Sequence, residues 1–190
     1  MRSLNDRLQE LTQKLTSGEL YDSKKLANEI NFHIFDYDPE DEYIIRDYLY
    51  KYLAKKDNLK IKIIDVYDLI IEILNEEEYL SKCFEYEKKH NTKQLNVLIS
   101  RIIGIGTNND LLIKKIKNKV EPNDIVIITG IGKSYEIVRG HTILNNLQNV
   151  IRDNPLILFY PGTYSGQYFK LFNIFENDNY YRAFQLISRK

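Results

Sequence analysis

Apolar residues recur along this 190-residue chain with two periods, one helical and one alternating. Leu4, Leu8, Leu11 and Leu15 share one helix face behind Ser3, a suitable N-cap, and predict an amphipathic N-terminal helix. A polar connection over 17–31 follows, with room for a short helix at its centre. Phe32 to Phe35 predicts a first strand, which empties into Asp36-Tyr37-Asp38-Pro39. There Asp38 suits an N-cap and Pro39 the first helical position, and Glu40, Asp41 and Glu42 favour the positive end of a helix that runs to about Lys56. Leu59 to Val66 alternates apolar and polar residues as a second strand does.

Helical spacing then dominates. It covers Val66 to Leu74, Glu76 to Lys89, and a stretch from Thr92 through Leu95, Leu98, Ile99, Ile102 and Ile103 that Gly104 and Gly106 interrupt. Asn109 or Asp110 caps a further helix through Leu112, Ile113 and Ile116 to Val120. Asp124 to Thr129 holds an unbroken apolar run, the pattern of a parallel strand covered on both faces. Gly130-Ile131-Gly132 turns into a helix over about Tyr135 to Arg152, Pro155 to Tyr160 is a fourth strand, and Leu156 to Gln167 reads as that strand emptying into a loop over 160–167. Phe169 to Phe175 and Tyr180 to Ile187 form a terminal hairpin across Glu176 to Asn179. The order β-α-β, helical insertion, β-α-β-β predicts an α/β fold: a three-layer, Rossmann-like, mostly parallel sheet with a helical insertion and a C-terminal β-hairpin. No linker or repeat divides it, so residues 1–190 are expected to form one domain, with 1–30 an N-terminal helical segment and 76–120 a helical elaboration.

Composition narrows the function classes. Lys+Arg and Asp+Glu balance at 27 each, which removes the global attraction to nucleic acid that a basic protein has but leaves room for a local basic patch. Cys83 is the only cysteine, so no intramolecular disulfide forms, and its neighbours Tyr79, Leu80, Phe84 and Tyr86 suit a buried helix thiol. No apolar run reaches the ~20 residues of a membrane span, and the N-terminus has no apolar signal core, so a cytoplasmic protein is expected.

Catalytic patterns fail one by one. Gly132-Lys133-Ser134 has Ile127, not glycine, where a P-loop needs its first glycine, and Tyr135 stands where a dinucleotide fingerprint needs its third. Asp36-x-Asp38 after a strand has the spacing of the haloacid-dehalogenase aspartate pair, one a nucleophile and one an acid–base around Mg²⁺, but Pro39 follows and capping explains Asp38. His33, His90 and His141 show no metal-ligand spacing, and Ser165 lacks a nucleophile elbow. No catalytic residue, metal ligand or cofactor is expected.

Binding candidates remain. The 160–167 loop offers Tyr160, Gly162, Tyr164 and Gln167, with Pro161 and Gly166 as turn residues beside Gly130 and Gly132. The helix after the third strand carries Arg139, His141 and Asn145 among apolar positions, and uncharged amides there suit specific hydrogen bonds, whether to buried backbone or to a partner. Tyr180, Tyr181 and Arg182 beside a strand are residue types that dominate interfaces.

Taken in order, these segments resemble the BrxB family of BREX bacteriophage-resistance systems. The resemblance covers nearly the whole chain. It rests on Phe35 to Pro39, Thr129 to Gly132, Arg139 to Gln148, Leu158 to Gly162 with Gly166-Gln167, and Asn179 to Phe184; Lys133-Ser134 fits the pattern less well. It implies a place in an assembly that distinguishes methylated host DNA from phage DNA, beside a methyltransferase, a large ATPase and a PglZ protein resembling alkaline phosphatases. It supplies no catalytic residues. The expectation is therefore a non-catalytic adaptor that binds another BREX protein, first the PglZ-like one, and meets DNA only indirectly. The alternative is a nucleotide- or nucleic-acid-binding factor that uses the Gly130–Gly132 turn and the 160–167 loop.

Overall fold

The computed structural model describes residues 2–22, 31–148, 150–151, 153–177 and 183–190. Its centre is a parallel sheet in the order β2-β3-β4-β1-β7, made of β1 (Phe32–Tyr37), β2 (Ile61–Asp65), β3 (Ile125–Thr129), β4 (Leu156–Tyr164) and β7 (Phe184–Gln185). Two short strands, β5 (Phe169–Leu171) and β6 (Phe175–Asn177), extend the far end of β4 antiparallel. The fold is α/β, as the pattern predicts.

Alternation along the central strands builds two cores, one on each face. Phe32, Ile34, Val126, Ile128, Leu156 and Leu158 point to one face, Phe35, Tyr37, Ile125, Ile127, Ile157 and Phe159 to the other. The first face is covered by α4 (Val66–Glu76), α5 (Leu80–Glu87), α6 (Thr92–Ile103), α7 (Leu111–Lys119) and α8 (Gly140–Leu147). On the second lie α1 (Leu4–Ser17), the segment after β1 and the tail residues Leu186 and Ile187. A short α2 (Glu19–Asp22) continues α1 beyond Gly18, whose φ of 82° closes that helix. Side-chain oxygens of Ser3, Asp65, Asn91 and Asp110 accept the first-turn amides of α1, α4, α6 and α7.

Five expectations need correction. The helix after β1 is not uniform: a 3₁₀ turn (Pro39–Asp41) leads into α3 (Glu42–Asp47), a π turn (Tyr48–Tyr52) and a second 3₁₀ turn (Leu53–Lys55). Ile45, Leu49 and Leu53 are all buried and spaced by four. On a regular α-helix they would drift by about 40° per step, and the wider π turn offsets that drift. Asp38 sits before the first turn without capping it; its carboxylate is drawn away by Arg189 and Asn173.

The helix expected over Tyr135–Arg152 is only α8, within Gly140–Leu147; residues 149 and 152 lie outside the described set. Residues 131–138 instead form successive turns, with Glu136 at φ 73°. The fourth strand does not release a loop at Tyr160 but continues to Tyr164, and only 165–168 turn, Gly166 at φ 90°. Proline is tolerated there because β3 pairs with β4 only as far as Leu158, so no ladder needs an N–H from Pro161. Gly162 admits β5 at a distance no side chain allows: a Cβ on it would lie 2.1 Å from the Lys170 carbonyl. Finally, the hairpin is β5–β6, joined across 172–174, while β7 joins the opposite side of β1 in parallel.

Candidate functional site

Ligands of open α/β sheets gather at the carboxyl ends of the strands. Here that rim has three parts with different chemistry.

Between β1 and β4 the rim is closed by ion pairs. Asp36 is fully buried. Its Oδ1 accepts from Arg7 at 3.2 Å and from the Gln185 amide at 3.3 Å; its Oδ2 accepts from the Tyr164 N–H at 3.2 Å and pairs with Arg189 Nε at 2.9 Å. Arg189 also donates to Asp38 at 2.9 Å and to the Gly162 carbonyl at 2.6 Å. Arg7 reaches the Asp36 carbonyl at 2.7 Å and the Ile187 carbonyl at 3.3 Å, with its guanidinium 4.6 Å from the Phe35 ring centre. Burial works to raise the Asp38 pKa, but the Arg189 guanidinium and the Asn173 amide outweigh it and hold the carboxyl below its ordinary value. Both oxygens of Asp36 are thus engaged by the chain's own cations and N–H groups, and Oδ1 of Asp38 is held by Arg189 and Asn173. Among the described residues no group of three His, Cys, Asp or Glu is placed to hold a metal.

At the end of β3, Gly130 turns at φ 77° against the Asp65 carboxylate, 2.3 Å from where its Cβ would be. Asp65 caps α4 and pairs with Lys133 at 2.7 Å; Lys133 also meets Asp68 at 3.1 Å. Ser134 is buried and returns its hydroxyl to the Gly130 carbonyl. Gly132 lies under the Phe172 ring, at 2.8 Å from its would-be Cβ, and beside Pro161. Lys133 and Ser134 therefore hold partners within the turn itself, and the Asp65 carboxylate fills the space over Gly130.

The third part is open. A cleft of about 260 Å³ lies between the turns after β3, the start of α8 and the β5–β6 hairpin. Tyr160 forms its floor, tilted on Phe169 at 4.7 Å between centroids; Tyr135 stacks on Phe175 at 5.1 Å to form a wall. Ile174 and Phe175 stand at the mouth, 70% and 45% exposed. Arg139 and His141 line the opposite lip. The Arg139 guanidinium has no ion-pair or hydrogen-bond partner among the described residues. Burial, and then the nearby Arg139 charge, push the His141 pKa down, which keeps the imidazole neutral at pH 7. Burial raises the Tyr160 phenol well above its ordinary value, so it stays protonated.

Of the candidate residues, Arg139, His141 and Tyr160 thus come together. Asn145 is exposed further along α8, and Gln167 lies on the 165–168 turn. Gly162 belongs to the closed crevice through its carbonyl. Tyr164 is not a loop aromatic but core: it is 2% exposed, and its hydroxyl lies 2.9 Å from the Ala183 carbonyl. Tyr180, Tyr181 and Arg182 fall outside the described residues. Sequence reasoning missed Tyr135, Ile174 and Phe175; the available signal was an apolar pair where a hairpin turn ordinarily carries polar residues. It also missed Arg7 and Arg189, for which no local signal exists.

A family model described as "BREX protein BrxB" matches residues 62–186, a span that contains the whole cleft. A Bacillus cereus (strain H3081.97) protein named "BREX protein BrxB" is 42% identical over the full length of both chains. The chain belongs to the BrxB family. An Escherichia coli O9:H4 (strain HS) BrxB protein is 34% identical over 97% of this chain and 92% of its own. No solved structure matches. Among the described residues of this family member, no helix is long and apolar enough to cross a membrane.

Proposed function

We propose that this BrxB-family chain is a non-catalytic assembly subunit of a BREX phage-defence system. It docks another protein of that system, first the PglZ-like protein, in the cytoplasm, and any association with DNA runs through that partner. The open cleft carries this reading. At about 260 Å³ it falls below the ~300–1,000 Å³ of small-molecule sites and suits one or two anchoring side chains. Its mouth carries two adjacent exposed apolar residues, Ile174 and Phe175, that the chain's own core leaves uncovered. The names of the relatives support the BREX setting. The nucleotide reading has weaker footing, because Asp65 fills the space over Gly130 and no helix begins at that turn.

Co-expression with the PglZ-like protein of the same system, followed by size-exclusion chromatography with mass determination, tests the proposal. A complex of defined stoichiometry that Ile174→Asp abolishes is the expected result. Elution apart from the PglZ-like protein, the ATPase and the methyltransferase alike overturns it.

A further inference from the structure

A second surface lies on the helical insertion and shares no lining residue with the cleft. Its α6 carries no Asp or Glu; Lys93 and Arg101 are its only charged residues. The two are exposed and eight residues apart, with exposed Val97 midway, so cation, apolar residue and cation line one side of the helix over two turns. Beside that stripe, Gln94, Leu98 and, from α5, Tyr86 complete a shallow groove of about 330 Å³. Tyr86 is held in place by stacking on His90 at 3.9 Å.

The neighbouring α7 shows how this protein treats cations that it satisfies internally. Lys115 meets Glu72 at 3.2 Å and also Glu76, and Lys119 meets Glu72 at 3.0 Å, all across the α4–α7 contact. Lys93 and Arg101 receive no such partner: among the described residues neither side chain makes an ion pair or hydrogen bond. Of the two acids that flank Tyr86, Glu85 is tied to Lys88 at 2.6 Å, and neither Glu85 nor Glu87 lines the groove. In a chain whose formal charges sum to zero, a groove with two cations, no anion and an apolar floor is a local imbalance.

We infer that the α6 groove docks an amphipathic helix of a partner protein, whose apolar stripe covers Val97 and Leu98 and whose flanking Asp or Glu side chains pair with Lys93 and Arg101. Such a helix satisfies both halves of the groove: the apolar floor wants a knob, and the cations at its two ends want carboxylates. A nucleic acid would satisfy the cations but leave Val97 and Leu98 against phosphate and sugar. The inference extends the assembly reading by a second surface, so that one subunit holds two partners.

The test co-expresses the full chain separately with the PglZ-like protein, the ATPase and the methyltransferase, and compares three variants. Lys93→Glu with Arg101→Glu reverses the charges; Val97→Asp spoils the apolar floor at a position 44% exposed, where folding is little affected; Ile174→Asp disables the cleft. The expected result is one complex that survives Ile174→Asp but loses roughly tenfold or more in affinity in both α6 variants. Complexes that form and are all indifferent to both α6 variants overturn the inference while the assembly reading stands. Binding of a single-stranded or duplex DNA oligonucleotide that falls steeply with salt and is lost in the charge reversal, with every protein complex unchanged, overturns it in favour of nucleic acid. A component lost in Val97→Asp but unaffected by Ile174→Asp supports the groove and sets it apart from the cleft.

Discussion

Two arginines near the carboxyl ends of the strands have opposite surroundings. Arg189 is 17% exposed by side chain and places its guanidinium against Asp36, Asp38 and the Gly162 carbonyl. Arg139 is exposed at the lip of an aromatic cleft, and its guanidinium makes no ion pair or hydrogen bond among the described residues. The first has been consumed by the fold; the second is left over. Desolvating an arginine is costly unless its charge is paired and its donors are satisfied. The crevice between β1 and β4 pairs the charges of Arg7 and Arg189 with the chain's own carboxylates and carbonyls, while the Nε of each is left without a hydrogen bond. At the end of β1, where an α/β fold commonly binds its ligand, ion pairs close the space, and the open cleft lies further out, between the α8 start and the hairpin.

Asp36→Ala tests the closed crevice most severely. It strands Arg7 and Arg189 beside a neutral methyl group, and the expected loss is about 3–5 kcal/mol in urea unfolding. A loss below about 1 kcal/mol would mean that the network contributes little to holding the ends of the chain. A comparable effect is expected from acid. His33 is buried in β1 with its Nε2 2.6 Å from the Asn31 amide oxygen, and burial, with Lys14 nearby, pushes its pKa down to about 4. The unfolded chain takes up a proton near pH 6.5 that the folded chain refuses until about 4. Stability is therefore full above 6.5, falls as pH drops through that window, and loses roughly 3 kcal/mol by its lower end. His33→Gln should flatten this limb of the unfolding profile, whereas His141→Gln, at the half-buried cleft position, should flatten it far less.

Gly162→Ala comes next. Its Cβ would meet the Lys170 carbonyl at 2.1 Å, so β5 must shift, and a cost of about 1–3 kcal/mol is expected by thermal unfolding; wild-type stability in this variant would remove the account of the β4 extension. Arg139→Ala should change stability least, within about 0.5 kcal/mol, while weakening any complex made at the cleft. A large stability loss there would erase the contrast between the two arginines.

Much of this architecture was legible along the chain. The run Ile125-Val126-Ile127-Ile128 could only be a strand with both faces covered, and Ser3, Asp110 and Gly104 mark helix ends by their local hydrogen-bonding and φ preferences. The errors share one cause. Pro161 and Gly162 read as a turn because both residues usually make one. Here the nearby β5 and the Phe172 N–H donating to the Pro161 carbonyl keep the backbone extended instead. Tyr164 read as an exposed loop aromatic because nothing nearby in sequence reveals that Phe169 and the Ala183 carbonyl close over it. Of the cleft, the Arg139, His141 and Tyr160 contributions were visible as unusual polar and aromatic positions. The hairpin side was not, because its strands were assigned to a different pairing. The Arg7–Asp36–Arg189 network joins residues nearly a whole chain apart, and no periodicity reports such a meeting.

That separation also sets the order of events during synthesis. β1 is made early, yet both of its neighbours, β4 and β7, come from the last quarter of the sequence. At ordinary translation speeds the strand Phe-His-Ile-Phe-Asp-Tyr waits on the order of ten seconds after it emerges, with both edges bare, and Asp36 waits longer still for Arg189. The centre of this sheet is therefore late to close, and the nascent chain carries a mostly apolar strand with one carboxylate and two unpaired edges until β4, β7 and Arg189 have emerged.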